Sequence, residues 1–234
     1  RAKKLGLDSV VTGHHARIVD TDKGLRLARG VDESKDQSYV LYMLTAADLS
    51  MLEFPVGEMT KSQVREIASR RGLRSATKPD SQDVCFITAS EGRARFLSDR
   101  LELHSAEVVD VKGNELGSVD AVELVTIGQR RGLNLGGNAD RTYAVQVDVR
   151  SRRVVAGSAE DLLSEDVSLS DHVWVDEPYI GRLQVQISAH GAQEPAYLTA
   201  DGNVHWDDAR RKVAPGQAVV FYRDDLVIGG ATAV

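Results

Sequence analysis

Leu5-Gly6-Leu7-Asp8-Ser9-Val10-Val11-Thr12-Gly13-His14-His15 is the stretch that decides the fold. A short helical end stopped by Gly6 is followed by Ser9-Val10-Val11-Thr12, which reads as a short buried strand running into a Gly-His loop. That is the αβ half of a βαβ unit, and open parallel α/β sheets present ligands at the carboxyl edge of their strands. His14 and His15 are adjacent, so their side chains leave the strand on opposite sides. They do not form the spaced pair that zinc requires, and no metal site is expected.

Further along, residues 25–30 and 37–44 flank a polar insert, Val31-Asp32-Glu33-Ser34-Lys35-Asp36, with the character of a surface loop free to contact a partner. The clearest helix follows. Thr60 is its N-cap, Gln63 completes a capping box, Val64, Ile67 and Ala68 recur at helical spacing, and Gly72 ends it. The polar run 77–83 then delivers Val84-Cys85-Phe86-Ile87 as a short apolar strand. From about residue 103 the texture changes to short strands, 106–111, 123–127, 143–149 and 153–156, with Lys112-Gly113-Asn114 as a turn. Within this β-rich part, residues 126–137 are rich in Gly and Arg and too irregular for a strand, and they read as a loop that something binds or as a glycine-rich connection with solvated arginines. From about residue 168, strands at 173–175, 183–187, 196–198, 203–206, 218–222 and 226–228 suggest a small antiparallel barrel. The expected organisation is thus α/β followed by β, with domains at 1–102, 103–164 and 165–234.

The 234 residues carry a net charge of −6, which lacks the basic footprint usual for nucleic-acid binding. Phosphate contacts depend on where cations cluster, however, and Lys61, Arg65, Arg70, Arg71, Arg74 and Lys78 fall close together, either as a phosphate-binding surface or as a solvated helix face. A single cysteine, Cys85, excludes an internal disulfide and any cysteine-rich zinc site. On its own, a thiol in an apolar tetrad is a small core residue. No run of about 18 apolar residues is present, and a cytoplasmic protein without membrane contact is expected.

Five ordered stretches change the reading of these residues: Val11-Thr12-Gly13-His14-His15-Ala16-Arg17, Arg29 to Tyr39, Lys78 to Ile87, Thr126 to Leu133, and Ala214 to Tyr222. Motif by motif the chain resembles the tRNA-specific 2-thiouridylases of the MnmA type. The resemblance implies a PP-loop, Rossmann-like adenine-nucleotide domain, a small central domain and a terminal β-barrel. It also implies a reaction in which ATP, with Mg2+, adenylates the C2 oxygen of uridine 34 in a tRNA anticodon loop. A cysteine persulfide, charged by a sulfur-donor protein, then displaces AMP. By the same matching, Cys85 is the persulfide carrier, Gly13 belongs to the nucleotide pocket, His14 lies near the tRNA, and Lys35, Asp36, Gln37 and Gln217 touch it. Electrostatics adds Arg130 and Arg131 as holders of the anticodon-loop phosphates. A thiolate carries sulfane sulfur, and reaching C2 of a looped base requires extruding that base into a pocket.

The family's glycine-rich PP-loop, catalytic aspartate and first cysteine precede the Gly-His strand. The expectation is therefore a carboxy-terminal fragment, inactive by itself, whose ATP site is largely missing and whose exposed sheet edge invites self-association. Ser188-Ala189 stand where the family carries an Arg-Tyr pair used on tRNA, and Val119-Asp120-Ala121 where a His-and-Gly pattern is usual. Two other readings compete. One is a PP-loop ATPase that adenylates a different carbonyl, and the other is a non-catalytic RNA-binding β module.

Overall fold

A computed structural model describes residues 2–77, 92–135 and 142–234. Its contacts divide it into two compact units: Arg1–Lys78 with Asp166–Asp207 and Pro215–Val234, and Pro79–Glu165 with Asp208–Ala214. Among the described residues no helix is long and apolar enough to cross a membrane.

The first unit begins with a single 3-10 turn, Lys3–Leu5, that Gly6 ends at φ +70°, a left-handed conformation cheap only for glycine. β1 (Val10–Val11) follows. A hairpin of β2 (Ala16–Thr21) and β3 (Gly24–Arg29) comes next, then the one-turn helix α1 (Ala46–Leu49) and β4 (Leu52–Glu53). β1 and β4 pair in parallel, Val10 with Leu52 and Val11 with Glu53, so the α/β character read from the first stretch is present as a two-stranded parallel sheet. The expected burial of that strand is not. Val10 is 37% and Val11 60% exposed, because β4 is the one strand that pairs with β1 among the described residues.

The helix α2 (Lys61–Arg70) starts at Thr60, whose hydroxyl accepts from the Gln63 amide while the Gln63 side chain accepts from the Thr60 amide; Gly72 follows it at φ +65°. Its apolar residues Val64, Ile67 and Ala68 are only half-buried.

In the second unit the short helix α3 (Gly92–Ser98) precedes β5 (Ala106–Asp110), β6 (Glu115–Val119), β7 (Tyr143–Asp148) and β8 (Arg153–Gly157), in the order β6-β5-β8-β7. Its core is Val108, Val119, Val122, Leu133, Ala144 and Val154 with their neighbours. The expected strand at 123–127 is replaced by a 3-10 turn, Val122–Leu124. Val122 and Val125 are both buried at a spacing of three, and the Val125 amide bonds to the Val122 carbonyl at 3.0 Å, a turn's period and not a strand's.

The remaining strands are β9 (Leu163–Val167), β10 (Leu169–Trp174), β11 (Gly181–Gln186), β12 (Glu194–Leu198), β13 (Val204–Arg211), β14 (Ala218–Arg223) and β15 (Leu226–Ala233). Every carboxy-terminal strand expected from the sequence is among them. The pairing differs from a self-contained closed barrel. The strand order is β2-β3-β15-β14-β11-β12-β13-β9, with β10 on β15, and among the described residues this path stays open. The amino-terminal hairpin has joined the sheet because β3 finds a partner in β15, Leu226 opposite Ala28. Arg17 secures the junction by donating to the Arg29 carbonyl at 2.6 Å and to the Asp225 carboxylate at 2.9 Å. Ala16, Leu27, Tyr39, Leu49 and Phe54 consequently share one core with Val220, Tyr222 and Val227.

Candidate functional site

At the carboxyl end of β1 the chain leaves the sheet through Thr12, whose amide bonds to the Glu53 carbonyl at 3.0 Å. The Thr12 hydroxyl meets His14 Nδ1 at 2.8 Å, and the His14 ring stands edge-on to Phe54, centroids 5.9 Å apart. Gly13 between them is exposed, and a side chain added there would meet no atom within 4 Å. The two histidines lie on the connection between β1 and β2, outside either strand, and they differ in burial. His14 is half-buried, whereas His15 is buried with no hydrogen-bond partner at Nδ1 among the described residues. Burial, and next the charge of Lys61, hold the His15 imidazole below its ordinary pKa, against the opposing pull of Asp32 and the Met59 carbonyl.

Facing this segment is loop 30–38, closed on itself and on the sheet by its own polar side chains. The Asp36 carboxylate is buried. One oxygen accepts from the amides of Gly30 at 2.8 Å and Ser38 at 3.2 Å, the other from the Ser38 hydroxyl at 2.6 Å, and Arg29 Nε lies 3.5 Å away. The Gln37 side-chain carbonyl accepts from the His15 amide at 2.9 Å, and the Gln37 amide returns a bond to the His15 carbonyl at 2.9 Å. Asp32 accepts from the Ser34 hydroxyl at 2.7 Å and from the Lys61 amide at 2.8 Å. The bond from the first amide of α2 is the main reason its carboxyl lies below the ordinary range. Gly30 is required by close approach, since a Cβ there would sit 2.7 Å from the His15 carbonyl oxygen. Lys35 lies between these ties, half-buried.

The structure thus brings Gly13, His14, Lys35, Asp36 and Gln37 into one neighbourhood. It also gives Asp36 and Gln37 a job within the chain. Gln217 belongs to the same unit: its side-chain amide donates to the Ile187 carbonyl, and the next residue, Ala218, accepts the Tyr39 hydroxyl at 2.8 Å. Ser188 opens a turn there, and Ala189 packs into the shared core. Arg130 and Arg131 are in the other unit, exposed on a formed turn. Gln129 shapes that turn by accepting from the Thr126 amide at 3.1 Å and donating to the Arg131 carbonyl at 2.8 Å. Cys85 and Lys78 lie outside the described residues.

Residue reading overlooked Asp32, Ser38 and Tyr222, of which Ser38 and Tyr222 are fully buried and Asp32 is partly exposed. A signal for the first two was available, since Asp and Ser dense in a loop bond neighbouring backbone amides.

Three family models tile the chain in order: a tRNA methyl transferase HUP domain over residues 1–89, a tRNA methyl transferase PRC-barrel domain over 94–158, and an aminomethyltransferase beta-barrel domain over 164–233. Together with the parallel β1–β4 pair and the two β-rich parts, they define a chain of the HUP class carrying two appended β domains. Relatives named tRNA-specific 2-thiouridylase MnmA match nearly the whole chain. That of Chloroflexus aggregans is 43% identical over 98% of this chain and 66% of its own length. That of Acidothermus cellulolyticus is 42% identical over 99% and 66%, and that of Roseiflexus sp. (strain RS-1) 39% over 98% and 68%. The chain belongs to the tRNA-specific 2-thiouridylase MnmA family. It spans about two thirds of the length of these curated relatives.

Proposed function

We propose that the protein carrying this chain is a cytoplasmic tRNA sulfurtransferase that exchanges the C2 oxygen of uridine 34 for sulfur. The observation that carries the reading is the fixed loop bearing Lys35, Asp36 and Gln37 beside Gly13-His14, at the carboxyl end of a parallel strand, in a chain whose relatives bear the 2-thiouridylase name. Ligands collect at such strand ends, and a polar loop pinned at both sides offers a single-stranded RNA a preformed surface.

In this reading ATP, with Mg2+, supplies the activation. The open backbone at Gly13 suits a nucleotide, since a Cβ there would meet no atom within 4 Å beyond its chain neighbours. Lys35, His14 and Gln217 contact the anticodon loop, Arg130 and Arg131 hold its phosphates, and the exposed cations of α2 add to the attraction. Adenylation turns the C2 oxygen into a leaving group. The terminal sulfur of a Cys85 persulfide, supplied by a donor protein, bonds to C2 as the bond to AMP breaks. A second thiol then takes the Cys85 sulfur as a disulfide, which frees the thiocarbonyl. Cys85 is the one cysteine in these 234 residues, so that second thiol comes from outside them.

The test is sulfur transfer by the intact protein with tRNA, ATP and a persulfide donor, read by mass spectrometry of the nucleosides, wild type against Cys85→Ala. Loss of 2-thiouridine in the variant alone is expected. Equal product from both would reduce Cys85 to a packing residue. A methylated nucleoside in place of the thiolated one would favour the transfer named in the family-model descriptions.

A further inference from the structure

The loop 30–38 is tied to its own segment and also to a strand 184 residues away in sequence. Tyr222 of β14 is fully buried in the shared core, and its hydroxyl lies 3.1 Å from Ser38 Oγ, itself fully buried. Ser38 Oγ gives its proton to Asp36 at 2.6 Å, so in the pair with Tyr222 the phenol is the donor and Ser38 the acceptor. Asp36 in turn gathers the amides of Gly30 and Ser38, the two ends of the loop. A phenylalanine would fill the same core volume. What the hydroxyl adds is the last link of a buried chain of hydrogen bonds running from Tyr222 through Ser38 to Asp36. Burial raises the phenol far above its ordinary pKa, so it remains a donor throughout the neutral range.

We propose that Tyr222 is a positioning residue: acting through Ser38 and Asp36, it sets loop 30–38 in the shape that presents Lys35 and Gln37 to the tRNA, so that a barrel strand and the RNA-facing loop work as one element. The inference rests on the RNA reading above, and it adds a residue that touches no substrate. Arg29 stands beside the same carboxylate as an ion-pair partner, its Nε 3.5 Å from Asp36 without a hydrogen bond, while its Nη1 lies 3.5 Å from the Gln193 side-chain carbonyl on the connection between β11 and β12. The hydrogen-bonded tie from the carboxy-terminal sheet to the loop is thus the Tyr222 hydroxyl.

The experiment is Tyr222→Phe in the intact protein, with Ser38→Ala and the double variant beside it. Removing one hydrogen bond from the chain should raise KM for tRNA about 3- to 10-fold while kcat stays within about twofold. In the same variant the Gly30 and Ser38 amides should exchange with solvent faster, while the amides of β14 and β15 hold their rates. Because the residues act in series, the double variant should be no worse than the more affected single one. Unchanged exchange at Gly30 and Ser38, or a rise spread evenly over β14 and β15, would overturn the proposal and leave Tyr222 as core packing. If the wild type neither bound nor thiolated tRNA, the RNA reading would fail. The exchange rates would still decide whether Tyr222 sets the loop.

Discussion

His15 concentrates the residue-scale argument. Its main chain clasps Gln37 in both directions, while its ring is buried beside the amino end of α2, near Lys61. The folded protein therefore resists protonating this imidazole. The unfolded chain takes up the proton at the ordinary value of 6.5, so as pH falls through that value and below it the unfolded state gains a proton that the folded state refuses. Stability contributed by neutral His15 is complete above 6.5 and is lost progressively on acidification. We expect urea midpoints of the wild type to fall between about pH 7 and 5, and His15→Phe to show a shallower fall across the same window. The carboxylates held low, Asp32 among them, act at lower pH, and their contribution disappears only as they protonate. Parallel pH profiles for the two proteins would refute the assignment.

At the scale of elements, α2 is the instructive case. Ten residues is short for a helix to persist unaided, and this one buries no side chain completely. Its stability rests on its start, where Thr60 and Gln63 exchange bonds and Asp32 reaches the Lys61 amide. Thr60→Ala should cost about 1 kcal/mol, felt within the helix. Hydrogen exchange should accelerate through residues 61–70 while the urea midpoint of the β core scarcely moves, and uniform protection in the variant would contradict this. The capping box was legible in the sequence because cap, helix and stop are written within thirteen consecutive positions, 60–72. Elements set by distant partners were harder to read. β6 is obscured by Gly117, whose place is fixed by close approach to the Asn134 carbonyl, and β9 by the polar run Ser164-Glu165-Asp166. The candidate site divides in the same way. Gly13, His14 and the Lys35-Asp36-Gln37 run stood out through family resemblance, whereas Tyr222 entered only when folding placed it against Ser38.

Across the whole molecule, the carboxy-terminal strands complete their sheet with β2 and β3 from the other end of the chain, and Arg17 and Asp225 close the seam. That arrangement gives the amino-terminal hairpin neighbours, and it leaves β1 without an equivalent. Among the described residues β1 pairs on one side with β4, while Val10 is 37% and Val11 60% exposed, with Leu5 and Leu7 exposed just before them. Unpaired amides and carbonyls beside β-branched side chains form a template for another strand. These 234 residues should therefore self-associate through this edge, and light scattering at micromolar concentration should report a mass above that of the monomer. Val11→Lys places a charge on the same edge and should shift the population towards monomer with the urea midpoint little changed, since Val11 is 60% exposed. A monodisperse wild-type monomer would mean that the edge is protected, and association that persists in Val11→Lys would locate the contact on another surface.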